Sequence, residues 1–481
     1  MLIGEEWVQG GGRTIAVENP ATQRPLAEIR AASFEQLDAA VAAAQFAGRG
    51  RWARSGGADR AEVLLRFADL LEANLELLAE VMTLDNGSPI ASSRMVVQHL
   101  AIATLRYYAG WATKIAGESF VPNLGARPNE AFMVATLREP IGVVAAIIPW
   151  NAPPGMIAMK LAPALAAGCT MVMKTAELAP LTGQLFAQLW AQTGAPPGVF
   201  NLIHGYGEDI GAAMAAHPGI AKIAFTGSTA VGRKIVAAAT GNLKKVSLEL
   251  GGKSPVVLFA DADLTRAIPA ATLACYLSTG QQCMAGSRLF VHAAIHDEVA
   301  DGIAAKAAAL TIGDGMDPRT MLGPVISAQH KARIADYIAI AKAEGAVAHL
   351  DSPAIAGAGH FLGPTLFTEV RSGMRIEQEE VFGPVLSVIR FDDEAELCAA
   401  INGTEYGLSG SVWTQDIARA LRVARQIDSG QVGINVHAAM SPETPFGGNR
   451  QSGWGRELGR EGLEPYLKTK AISMYLGPSA P

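Results

Sequence analysis

Five short apolar runs decide the fold. Residues 143–148 read VVAAII, 170–174 TMVMK, 199–204 VFNLIH, 222–226 KIAFT and 245–250 KVSLEL. Each is short, rich in β-branched or apolar residues, and long enough for one buried strand. Helix-like stretches lie between them, such as Met156 to Ala166, in which Pro163 is a possible kink point. Strand, helix and strand in alternation is the rhythm of a parallel, doubly wound sheet. A second α/β stretch runs from about Ser254 to Ile434.

Working outward, the first third reads as helical. Ser33 and Gln36 form a capping-box pattern. Asp59 is placed to cap a second helix, in which Leu64, Phe67, Leu71 and Leu78 share a face, and Asn86-Gly87 ends that region. After Ile434 the chain turns Gly-rich (Phe446-Gly447-Gly448, Gly453-Trp454-Gly455), and residues 471–476 read as a last strand. The 481 residues imply two or more domains. With 49% hydrophobic and only 17% charged residues, much of the chain is expected to be buried. A net charge of -6 without a Lys/Arg run speaks against nucleic acid. The start, Met1-Leu2-Ile3-Gly4-Glu5-Glu6, lacks the pattern of a signal peptide, and the apolar run 142–149 is too short to cross a bilayer. A cytoplasmic protein with no membrane partner is expected. Its four cysteines (Cys169, Cys275, Cys283 and Cys398) would be reduced and buried.

Several segments carry chemistry. Cys283 lies in Gly280-Gln281-Gln282-Cys283-Met284-Ala285-Gly286; an isolated cysteine is more often inert core than nucleophile, and the Gly-flanked polar setting only weakens that expectation. Glu249 stands between leucines at a strand end, where a carboxylate is either paired structure or a general base. Asn151 follows the 143–148 strand, as a turn residue or as an amide donor to an oxyanion. Two Gly-rich loops, at Gly205–Gly211 and Gly227–Gly232, are each placed to bring helix N-terminal N–H groups to a phosphate, and spacing does not choose between them. The nine histidines suggest no metal cluster; His437 alone merits a test, with packing as its expected role.

In this order and spacing, the segments Ile148-Pro149-Trp150-Asn151, Lys174-Thr175-Ala176-Glu177, Phe225-Thr226-Gly227-Ser228, Leu248 to Lys253, Gly280 to Cys283, Glu380 to Pro384, Asn402 to Leu408 and Pro445 to Gly448 resemble the aldehyde dehydrogenase superfamily over nearly the whole chain. The resemblance implies a Rossmann-like cofactor domain, an α/β catalytic domain and a small β oligomerisation arm. It divides the chain into 1–121 with 141–251, 252–451, and 122–140 with 452–481. It implies Cys283 as nucleophile, Glu249 as general base, and Asn151 with the Cys283 N–H as oxyanion hole. For the cofactor it implies Gly227, Ser228 and Gly232 at the phosphates, making the Gly205 loop a decoy. Lys174 and Glu177 would hold the adenosine ribose, and Glu380 with Phe382 the nicotinamide ribose. Ile148, Trp150, Leu250 and Gln329 complete the expected cofactor contacts. A carboxylate at Glu177 favours NAD, while Lys174 beside it leaves room for NADP.

Many members of the family carry bulky aromatics just after the catalytic Asn. Here those places hold Ala152, Gly155, Met156 and Met159, with Gln282 and Met284 flanking the nucleophile and Met440 and Phe446 from the C-terminal loop. A wide, adaptable tunnel for a bulky aromatic, terpenoid or long aliphatic aldehyde is expected. A homodimer or homotetramer is implied. The rivals are a CoA-acylating semialdehyde dehydrogenase, which needs no water-activating Glu249, and a non-catalytic descendant of the fold, which would have no need of the Cys283, Glu249 and Asn151 set.

Overall fold

The computed structural model describes every residue except 125–126, 128–129, 354, 356 and 479–481. The five expected strands form the centre of an eight-stranded sheet, in the order Phe200–Ile203, Thr170–Lys174, Val143–Ile147, Lys222–Thr226, Lys245–Glu249. All four pairings among them are parallel. Four of the five strands are buried at nearly every position because helices cover both faces, which is why their sequences run apolar instead of alternating. The N-terminal pieces Leu2–Ile3 and Glu6–Trp7 extend one edge.

The Pro153–Ala167 helix is buried along its whole length. Pro153 and Pro154 occupy its first turn, where a missing N–H costs nothing, Gly168 ends it at φ 90°, and Pro163 lies within it without ending it. The Ser33–Gln36 capping box is present on the Phe34–Ala47 helix. The next region differs from expectation. The helix there is Gly57–Ala73, and Asp59 lies in its first turn, accepting the Gly56 N–H at 2.8 Å instead of capping it. Leu64, Phe67 and Leu71 share its buried face, but Leu78 belongs to the separate Leu75–Asn86 helix, beyond a break at Asn74.

A seven-stranded sheet spans Pro255–Leu258 to Gln431–Ile434, parallel except at the Val347–Asp351 edge. The expected boundary at 251/252 thus falls between the last central strand of one sheet and the first strand of the other. Leu467–Pro478, Glu130–Pro140 and Ser119–Phe120 make a third, antiparallel sheet. The C-terminal segment expected to join that arm divides. Gly453–Trp454 returns to the first sheet against Lys245–Glu249. It can do so because Gly453, at φ 117°, has no Cβ to collide with the Leu248 carbonyl, 2.0 Å from where one would stand. Parts of the expected arm, at 125–126, 128–129 and 479–481, lie outside the described residues. Among the described residues no helix is long and apolar enough to cross a membrane.

Candidate active site

Strand order reverses direction between Val143–Ile147 and Lys222–Thr226, so a crevice opens beyond their carboxyl ends, where doubly wound sheets take ligands. A cavity of about 210 Å³ lies there. Trp150, Asn151, Thr226, Gly227, Ser228 and Leu250 come to it from the first sheet, and Cys283, Glu380 and Phe382 from the second. The two walls are joined by aromatic edges: Trp150 meets Phe382 at 5.5 Å between ring centres and His330 at 5.7 Å. His330 donates from Nε2 to the Phe382 carbonyl at 2.8 Å, and burial lowers its pKa.

Cys283 follows a tight turn in which Ser278, Thr279 and Gly280 all have positive φ. Two glycines let the end of the Lys245–Glu249 strand approach it. A Cβ on Gly252 would stand 2.5 Å from the Cys283 carbonyl, and one on Gly251 2.3 Å from the Glu380 carboxylate. Asn151 donates from Nδ2 to the Gln281 carbonyl at 3.0 Å, which ties the 150–151 turn to the nucleophile loop. One N–H of that amide remains for a ligand.

Glu249 is only 4% exposed, and among the described residues both its carboxylate oxygens lack a hydrogen-bond partner. Burial and then the neighbouring Glu457 push its pKa well up. Glu457 is paired with Lys160, itself 0% exposed, whose ammonium also donates to Thr226 Oγ1 at 2.7 Å. Burial, then Glu380 and Glu249, push the Cys283 thiol up to about 12. Glu380, its carboxylate bonded to the Gly252 N–H at 3.0 Å, is pushed up to about 7 by desolvation.

The profile of the aldehyde dehydrogenase family matches residues 7–472. Aldehyde dehydrogenase 1 of Tanacetum cinerariifolium is 42% identical over 98% of this chain and 94% of its own. Phenylacetaldehyde dehydrogenase of Pseudomonas fluorescens is 41% identical over 98% and 95%. The structure of a Bacillus cereus aldehyde dehydrogenase in complex with NAD+ superposes with a TM-score of 0.95 at 40% identity, covering 99% of this chain and 96% of that one. The chain belongs to the aldehyde dehydrogenase family. It is accordingly an oxidoreductase of the aldehyde group.

For this aldehyde dehydrogenase the expected substrate wall divides. Ala152, Met284 and Met440 are partly buried and pack, with Leu100, Tyr107 and Trp111, against one apolar cluster that also contains Met156 and Phe446. Met156 reaches the cavity. Gly155 does not line it: a Cβ there would stand 2.3 Å from Leu100 Cδ2, so its smallness serves helix packing. Met159 is core, at 1% exposure. Gln282 donates to the Leu277 carbonyl at 3.0 Å and so braces the nucleophile loop.

Among the expected cofactor contacts, Ile148 is buried, and Lys174 bonds Glu177 at 3.2 Å. Gly232 packs on Leu250, and Ser228 caps the Thr229–Ala239 helix. Gln329 is exposed and absent from the cavity wall; its neighbour His330 and Arg333, one turn on, stand there instead. The Gly205 loop forms a turn whose Glu208 and Asp209 hold Arg13. His437 bridges Ser411 and the Met284 carbonyl, at 3.0 and 2.9 Å. Cys283 and Cys398 are only partly buried, unlike Cys169 and Cys275.

Sequence reasoning missed Lys160, Glu457, Thr226 and His330. Lys160 left a signal: it is the one charged residue in an otherwise apolar helix.

Proposed function

We propose that this enzyme oxidises a bulky apolar aldehyde to its carboxylic acid with NAD, through a thioester on Cys283. The observation that carries the reading is the convergence of Asn151 and Cys283 on one cavity, with the unpaired carboxyl of Glu249 close enough to raise the thiol pKa.

The crevice fits a dinucleotide. Gly227 and Ser228 open the Thr229–Ala239 helix towards it, offering N–H groups to a pyrophosphate. Lys174 with Glu177 supplies donors and an acceptor for ribose hydroxyls at one end, and Glu380 an acceptor at the other. The Glu177 carboxylate disfavours a 2′-phosphate, and so NADP. Bound there, NAD supplies the acceptor for hydride.

Cys283, its thiol proton passed to water, forms the bond from sulfur to the aldehyde carbon. The alkoxide that develops is held by the free Asn151 N–H and the Cys283 backbone N–H; one such donor is typically worth about 3 kcal/mol. Loss of hydride from carbon leaves the thioester. Glu249 then takes a proton from water, whose oxygen attacks the thioester carbon; the carbon–sulfur bond breaks and the acid leaves. The Lys160–Glu457 pair behind Glu249 supports that carboxyl as it gains and loses its proton. A CoA-acylating reaction has no use for a buried unpaired base, so Glu249 favours hydrolysis.

Met156 at the cavity, with the partly buried Met284, Met440 and Trp111 packed against the same apolar cluster, supports a bulky substrate, and the phenylacetaldehyde dehydrogenase relative is named for one. The three-stranded arm supports assembly with further copies of the chain.

The test is NADH absorbance with small, aromatic and long-chain aldehydes, against NAD and NADP. Turnover with NAD that improves with aldehyde bulk is expected, and efficiency falling with bulk overturns the substrate class. Cys283→Ala should abolish oxidation and keep NAD binding. Glu249→Gln should keep a first burst of NADH but cut steady turnover by about 10²-fold or more.

A further inference from the structure

The turn that carries Asn151 is held from behind by another helix. Asn86, the last residue of Leu75–Asn86, is 2% exposed. Its Nδ2 donates to two consecutive carbonyls, Trp150 at 3.2 Å and Asn151 at 3.1 Å, while Oδ1 accepts the Ser88 N–H at 2.9 Å. Asparagine is the one side chain of this length with two N–H groups on one atom beside an acceptor.

The following residue touches the opposite wall. Gly87, at φ 82°, lets the chain turn, and a Cβ there would stand 2.6 Å from Pro324 Cγ. A Cβ on Gly323 would stand 1.9 Å from the Gly87 carbonyl. That 323–326 segment anchors the nucleophile loop: the Ile326 N–H bonds Gln281 Oε1 at 2.9 Å, and Thr279 Oγ1 bonds the Gly323 carbonyl at 2.9 Å. Gln281 is the residue whose carbonyl receives the Asn151 amide. Residues 86–87 therefore stand against both the oxyanion turn of the first sheet and the segment that fixes the nucleophile loop of the second.

We propose that Asn86-Gly87 is a spacer that sets the Asn151 amide against Cys283, which makes Asn86 a positioning residue for the oxyanion donor. The proposal rests on the reading of Asn151 as that donor. Removing the two Nδ2 bonds frees the turn to shift, and a displacement of about 1 Å at a reacting group costs up to about 100-fold in rate.

The experiment compares Asn86→Ala, Asn151→Ala and the double variant by the rate of the first NADH burst. NAD affinity, melting temperature and alkylation of Cys283 by iodoacetamide, which forms no oxyanion, are followed beside it. Asn86→Ala should slow the burst about 10- to 100-fold, with NAD affinity and alkylation unchanged. In the Asn151→Ala background it should add no further loss. Asn86→Asp fills the same space and still accepts from Ser88 but donates nothing; it should lose as much, and it carries the test if Asn86→Ala does not fold. A normal burst in the Asn86 variants, losses that multiply with Asn151→Ala, or failure of both Asn86 variants to fold overturns the spacer. A normal burst in Asn151→Ala alone overturns the oxyanion reading itself.

Discussion

Cys283 sits beside two carboxyls, Glu249 and Glu380, in a wall that water only partly enters, and both disfavour the thiolate that attack on an aldehyde needs. Glu380, pushed up to about 7, is charged above that pH and then opposes ionisation of Cys283 most strongly of its neighbours. Removing that charge should lower the thiol pKa. In Glu380→Gln, the pH profile of iodoacetamide alkylation of the cofactor-free enzyme should move to lower pH, so that alkylation at pH 9 runs faster; each unit of displacement is about a tenfold gain in thiolate. An unmoved profile would mean that burial alone sets the thiol. At this scale the sequence was partly legible. Cys283, Asn151 and Glu249 each fit an inert reading alone, and only the order and spacing of their segments point to chemistry. Glu457 was not legible, because its partner Lys160 is 297 residues away and only the folded chain joins them.

At the scale of elements, the buried parallel strands were legible because both faces are covered, leaving an unbroken apolar run. The buried helix Pro153–Ala167 was legible as a helix, but not in its facing. Apolar all round, it has no polar side to show that Met156 meets the cavity while Gly155 and Met159 meet core. The break at Asn74 was hidden because no Pro or Gly marks it. Asp85 shows a contact between elements that no local pattern reveals. From the end of Leu75–Asn86 it accepts the Leu181 and Thr182 N–H groups, at 2.9 and 3.1 Å, and so caps the Leu181–Trp190 helix from outside. Its other oxygen is buried without a partner, and burial pushes its pKa up to about 7. The native value lies above the unfolded one of about 3.9. As pH rises from about 4 to about 7, the unfolded chain releases this proton first, so the stability this group contributes at low pH is lost across that window. Asp85→Asn keeps an uncharged acceptor at every pH. Its melting temperature relative to wild type should therefore rise between pH 5 and pH 7.5, read by calorimetry or circular dichroism. A difference that stays flat with pH would show that Asp85 is already ionised in the native state.

At the scale of the whole molecule, the third sheet has no core of its own. Leu467–Pro478 pairs along Glu130–Pro140 on one side and has no strand beyond it among the described residues. Leu137, Ile472, Tyr475 and Leu476 on these two strands are all more than two-fifths exposed. A long free strand edge beside exposed apolar side chains is a template for pairing with another chain, and single-chain proteins usually blunt such edges. Lys468 and Lys470 do so only in part, because Glu139 holds both. We propose that further copies of the same chain cover the arm. Replacing Ile472 and Tyr475 together by Glu puts two charges where such a contact would be desolvated. Light scattering after size exclusion should then move from a multiple of the chain mass towards 50.2 kDa. Because none of the cavity residues lies on the third sheet, NAD affinity should persist in the dissociated chain. An unchanged assembly mass in the variant would place the contact elsewhere, and a wild-type enzyme already at the single-chain mass would leave the arm without the partner that its free edge calls for.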